Sequence, residues 1–77
     1  MIVEVEFLST TRVYWRTNGW RFGAHYLGRL RDYVDGPVTV RRRRLRPAFP
    51  EARLSEEEQA IILSDLIGAG IPVVGFE

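Results

Sequence analysis

Cysteine is absent from the 77 residues. Disulfides, thiolate metal sites and cysteine nucleophiles are therefore excluded. Lysine is absent too, because all 11 Lys+Arg positions are arginine. No lysine can form a Schiff base or serve as a phosphate-loop lysine. His25 is the only histidine, too few for the usual multi-histidine zinc site. No apolar run approaches the roughly 20 residues of a membrane-spanning helix. The opening residues carry Glu4 and Glu6 where a secretory signal would carry basic side chains. These absences predict a cytoplasmic protein without membrane contact.

What is present is ordinary for a globular chain: 45% hydrophobic and 27% charged residues, neither disordered nor membrane-like. The length suits one domain, residues 1–77, with one core. A domain this small buries only about 60% of its unfolded surface, so self-association would be a natural way to bury more. The net charge is +1, but it is unevenly spread. Residues 1–11 are acidic, residues 12–46 hold ten of the arginines against Asp32 and Asp35, and residues 47–77 are acidic again. Such segregation predicts a basic face and an acidic face.

Val3, Val5 and Phe7 alternate with Glu4 and Glu6, the pattern of a strand with one dry and one wet face. Val13 and Trp15 alternate with Arg12, Tyr14 and Arg16. A hairpin centred on Thr10 sets Val5 against Trp15, Phe7 against Val13 and Glu4 against Arg16. That single register satisfies hydrophobic pattern and charge together. Asn18-Gly19 is a strong hairpin turn signal and returns Trp20-Arg21-Phe22 beside the second strand. Arg16 then opposes Arg21, a like-charge pair that a bound anion or a shifted register would relieve.

Gly23 to Val34 has helical spacing of Tyr26, Leu27, Leu30, Tyr33 and Val34, and Asp35-Gly36-Pro37 stops it. Val38 to Leu45 reads as a strand whose end carries arginine on both faces and must project beyond the core into water. The loop around Pro47 and Pro50 leads to a second helix. Ser55 caps it and Glu58 completes a capping box, while Glu56, Glu57 and Glu58 suit the positive end of the helix dipole. Ile62, Leu63, Leu66 and Ile67 form most of its buried face, and Gly68 or Gly70 ends it. Pro72 to Phe76 is short and apolar, as an inner parallel strand would be.

The fold class expected is α/β, α+β-like. It is a two-layer sandwich with an N-terminal hairpin or meander, then α-β-α-β with a C-terminal βαβ unit and a mixed sheet, the helices on one face. The expected core is Val5, Phe7, Val13, Trp15, Leu27, Leu30, Val40, Leu63, Leu66, Val73 and Val74.

Arg41-Arg42-Arg43-Arg44 with Arg46 is the sharpest chemical signal. Adjacent guanidinium groups repel each other, and phosphates would gather them through their planar forks of N–H donors. Arg16, Arg21 and Trp20 belong to the same basic, aromatic segment, and Trp15, Tyr14 and Tyr26 could stack on bases. Against this stand a solvated strand end, or pairing of the arginines with Glu56, Glu57 and Glu58. A sequence pI near 8.3 also falls below the threshold, about 9, of strongly basic nucleic-acid-binding domains. No nucleophile, metal or cofactor motif is present, and His25 lacks an obvious partner. The expectation is a non-enzymatic binding module without metal or cofactor. One reading has Arg16, Trp20, Arg21, Arg41, Arg42, Arg43, Arg44 and Arg46 contacting nucleic-acid phosphates. The other is a protein-interaction module, an adaptor, inhibitor or homo-oligomer subunit, using the same basic and aromatic face.

Overall fold

The alternation of the first seventeen residues is realised as two paired strands. In the computed structural model, which describes residues 1–9, 12–23, 26–43 and 53–77, β1 spans Ile2–Phe7 and β2 spans Val13–Thr17. They pair antiparallel with Glu4 opposite Arg16, Val5 opposite Trp15 and Phe7 opposite Val13, the register that pattern and charge demand. Thr10, the expected centre of the hairpin, and Thr11 lie outside the described residues. The Asn18-Gly19 turn has positive φ at both residues, +50° and +83°, as a tight hairpin turn requires. It leads into β3, Trp20–Gly23, which pairs antiparallel with β2 and does set Arg16 opposite Arg21.

The first helix is much shorter than its periodicity suggests. α1 covers Leu27–Asp32, not Gly23–Val34. Gly23 is the last residue of β3, while Ala24 and His25 lie outside the described residues. Tyr26 and Tyr33 flank α1 and are exposed, so two of the five residues at helical spacing lie outside the core. No side chain caps its start, Gly28 sits within it, and Leu30 is its one fully buried residue. A helix this short is held by packing, not by its own propensity.

β4, Val38–Arg42, pairs parallel with β1, and β5, Val73–Phe76, pairs parallel with β4. The sheet order β3-β2-β1-β4-β5 makes β5 an edge strand, not the inner strand its apolar composition suggested. Its register slips at Val38/Thr39, so that Val38 faces Val73 while Thr39 faces Gly75. Val74 is the residue skipped, and it is 68% exposed, a correction to its expected place in the core. Such a bulge twists and blunts an edge that would otherwise template further pairing.

α2, Glu56–Gly68, is the helix expected. The Ser55 side chain accepts from the Glu58 backbone N–H while the Glu58 carboxylate accepts from the Ser55 N–H, a complete capping box. At the other end Gly70 has φ +81°, donates to the Ile67 carbonyl, and is followed by Ile71 donating to the Leu66 carbonyl. That is a Schellman stop, and the residue after it, Ile71, is fully buried. A Cβ at Gly70 would lie 3.4 Å from Arg31 Nη1, so an α1 cation rests against the negative end of α2.

The molecule is thus a small α+β domain with a five-stranded mixed sheet. Val3 and Val5 of β1, Val13 and Trp15 of β2, Phe22 of β3, and Val38 and Val40 of β4 form one buried cluster with Leu30, Leu54, Ile62, Leu66 and Ile71. Phe7, Leu27 and Val73 are only partly buried against it, and Leu63 is half-buried. Ile67 points outward at 59% exposure. Trp15 Nε1 and Thr17 Oγ1 are buried with no hydrogen-bond partner among the described residues, a penalty of roughly 1–3 kcal/mol each that apolar packing must offset.

Two neighbouring glycines should respond oppositely to alanine. Gly68 lies in the last turn of α2 with open space around its Cβ position, so Gly68→Ala should stabilise by about 0.5–1 kcal/mol. Gly70→Ala forces a left-handed alanine and should destabilise by about 1–2 kcal/mol. Urea denaturation of both variants checks the pair, and the same sign for both would show that Gly70 does not end the helix as described.

Candidate binding surfaces

Because the buried residues of β1, β2 and β4 alternate with outward ones, the second face of the sheet is charged. Ile2, Glu4 and Glu6 of β1, Tyr14 and Arg16 of β2, Arg21 of β3, and Thr39 and Arg41 of β4 point to this side, with Arg43 just beyond β4. The parallel register aligns Glu4 with Arg41, and the Arg43 backbone N–H continues the ladder to Val5 O at 2.8 Å. Arg41 Nε donates to Glu4 Oε2 at 3.2 Å, and Arg41 Nη1 lies 3.9 Å from Glu77 Oε2. Arg43 Nη1 donates to Glu6 Oε2 at 3.3 Å.

Arg42 takes the other side. It stands opposite Val5 on the core face, at the open end of β4 where α2 begins. Its guanidinium carbon lies over the Phe7 ring, 5.9 Å from the centroid, and its Nη2 donates to Glu58 Oε1. As far as Arg43 the strand end carries arginine on both faces, and these described arginines do not stand free in water. Arg41, Arg42 and Arg43 are half-buried, and each holds a carboxylate of its own chain. Mutual repulsion of the run is relieved because alternation sends successive guanidinium groups to opposite faces and to different acids. Arg44 and Arg46 lie outside the described residues.

Arg16 and Arg21 differ from these. Arg21 stacks over Tyr14, with the guanidinium carbon 3.9 Å from the ring centroid. The Arg16 side chain has no ion pair among the described residues, and its Nε is buried without a hydrogen-bond partner. Glu4, directly opposite in the ladder, is engaged by Arg41 instead. Arg16 lines a depression of about 270 Å³ together with Ile2, Glu4, Arg41, Arg43 and the Thr17–Gly19 turn.

Trp20 follows that turn on β3, which among the described residues is an outer strand paired on one side only. It shares a face with Phe22 but extends past the core and is 57% exposed. Tyr33 lies between them, its ring 5.7 Å from Trp20 and 5.4 Å from Phe22. Sequence reasoning placed Tyr33 inside a helix and gave it no part in a binding surface. The signal available was its position next to the Asp35-Gly36-Pro37 stop, where helical periodicity no longer dictates burial.

The sequence-derived site residues therefore divide. Trp20 and Arg21 share the β3 edge, and Arg16 stands beside them on β2. Arg41 and Arg43 lie across the same outer face, while Arg42 faces the core side. The carboxylates that answer these arginines, Glu4, Glu6, Glu77 and Glu58, were absent from the expected site. Glu58 was foreseen as a possible arginine partner; Glu4 was foreseen as opposing Arg16, not Arg41. Among the described residues no group of three or more His, Asp or Glu is placed to hold a metal ion, and no helix is long and apolar enough to cross a membrane. Compared with known proteins, the chain matches no family model, no curated sequence and no solved structure.

Two carboxylates of α2 titrate in opposite senses. The Ser55 backbone N–H, and secondarily Arg42, hold the Glu58 carboxyl below the ordinary glutamate range against the opposing effect of burial. Burial alone raises Asp65. A depressed carboxyl stabilises the fold above its unfolded pKa, about 4.3, and that stability is lost as pH falls through the lower folded value. Glu58→Gln, which keeps an acceptor for Ser55 but removes the charge, should be less stable than wild type at neutral pH. The difference should close on strong acidification. Asp65→Asn should show the reverse, a gain at neutral pH that fades as the native carboxyl protonates. Denaturant titrations along the acid limb measure both; a Glu58→Gln deficit that persists unchanged in strong acid would exclude the charge as its source.

Proposed function

We propose that this chain is a non-enzymatic protein-interaction module that engages its partner through the β3 edge and the adjoining aromatic and arginine side chains. One observation carries the reading. Trp20 stands largely exposed on an outer strand, braced by Tyr33, with Arg21 on the same strand and Arg16 beside it. Exposed tryptophan and arginine on an open edge match the residue types that dominate binding energy at protein interfaces. An unpaired strand edge also offers main-chain hydrogen bonds to an extended partner segment.

Phosphate-backbone binding by the arginine run is the less supported reading. Arg41, Arg42 and Arg43 already hold Glu4, Glu58 and Glu6, and a nucleic acid would have to compete with those carboxylates. The partner reading accommodates a second copy of the chain as well as a different protein.

Sedimentation over a range of protein and salt concentrations, with selection of binders from a displayed random-peptide library, tests the proposal. Trp20→Ala should weaken self-association or peptide binding by about 2 kcal/mol, roughly thirtyfold in Kd. Arg41→Ser should leave it nearly unchanged. Binding indifferent to Trp20→Ala would remove the β3 edge from the interface. Strongly salt-dependent RNA or DNA binding that Arg41→Ser abolishes would replace this reading with the nucleic-acid one.

A further inference from the structure

We infer that the depression on the outer sheet face is a binding site for a phosphate monoester group, with Arg16 as its principal ligand. The site does not depend on the β3 interface proposed above. Three arginines border it: Arg16 from β2, Arg41 from β4, and Arg43 just beyond the end of β4. Within the lining they face one carboxylate, Glu4, which Arg41 already holds through Nε. Glu6 pairs with Arg43 from outside the lining.

These ion pairs leave binding capacity. A guanidinium group has five N–H donors in a planar fork; Arg41 engages Glu4 through Nε and approaches Glu77 through Nη1 at 3.9 Å, and Arg43 engages Glu6 through Nη1 alone. The carboxylates thereby fix the two β4 side chains in place, so little of their rotational freedom remains to be lost on binding. Arg16 supplies the vacancy. Its Nε is buried without an acceptor, a condition that a charged donor sustains at a penalty until an anion arrives. Its Cα partners are Glu4 on one side and Arg21 on the other, and the first is taken while the second is a like charge.

A monoester suits this arrangement better than a carboxylate. It carries about −1.5 to −2 charge at neutral pH and three strong acceptor oxygens, enough to meet guanidinium groups arriving from both β2 and β4. A carboxylate offers two oxygens and one charge. A phosphodiester offers one charge and two free oxygens, so it resembles the carboxylate in this respect.

The test follows the Arg16 Nε–H resonance by NMR while phenyl phosphate is added at constant ionic strength with chloride. Saturable movement of that resonance, weakening as pH falls below about 6 where the monoester gains a proton, is expected. Arg16→Gln should reduce affinity at least tenfold, whereas Arg53→Gln, an exposed arginine outside the depression, should not. Arg16→Gln also removes a like-charge opposition, so it is expected to fold. Dimethyl phosphate should bind at least tenfold more weakly than phenyl phosphate. A phosphoserine peptide, run in parallel, separates a monoester carried by a protein, which should then bind tighter, from one carried by a small molecule, which should bind equally. No saturable change beyond the chloride control overturns the site. So does phenyl phosphate affinity unaffected by Arg16→Gln, or dimethyl phosphate binding as tightly as the monoester.

Discussion

The parallel pairing of β1 with β4 is the constraint on which the rest of the structure depends. It joins residues nearly forty positions apart, and it decides both faces of the sheet at once. Val3 meets Val40 on the buried side, and Glu4 meets Arg41 on the exposed side. A shift of one residue would send Val40 to water and an arginine into the core, because strand side chains alternate strictly.

The same pairing explains why a run of arginines is compatible with a folded strand end. Along β4 the side chains go alternately out, in and out. The outward ones find Glu4 and Glu6 on β1, and the inward one finds Glu58 at the start of α2. The exposed pairs contribute little each, about 0–1 kcal/mol at most. Their larger effect is on specificity, because the opposite charges agree with the hydrophobic register and penalise its alternatives. Glu58 links these layers: one carboxylate completes the capping box of α2 and also holds Arg42 of the sheet.

What remains available for binding is defined by subtraction. Helices cover the inner face, and β4's arginines are occupied by acids of the same chain. Among the described residues, Trp20, Tyr33 and Arg21 at the β3 edge, and Arg16 within the outer face, keep polar or aromatic surface that no carboxylate of the chain occupies. The two edges of the sheet differ accordingly. The β5 edge is blunted by the slip at Val74, whereas β3 is short but pairs regularly with β2 along its length. The two surfaces proposed for binding therefore lie on the β3 edge and on the outer face of the sheet.

The local grammar of the chain by itself determined the N-terminal meander and α2. Alternation, the Glu4–Arg16 complement, the Asn18-Gly19 turn and the Ser55–Glu58 box are short-range signals, and each acts between neighbours or across a tight turn. They also marked Arg16, Trp20 and Arg21 as candidates. Tertiary structure decided what those signals do not contain. It ended α1 at six residues, because packing reaches only Leu30 fully and leaves Tyr26 and Tyr33 outside. It put β5 at the edge and Val74 in water, since an apolar run reads alike in an inner strand and an edge strand until its neighbours are counted. It also gave Arg41 and Arg43 their carboxylate partners, because Glu4 and Glu6 reach them only once a parallel strand brings the two ends of the first half of the chain together.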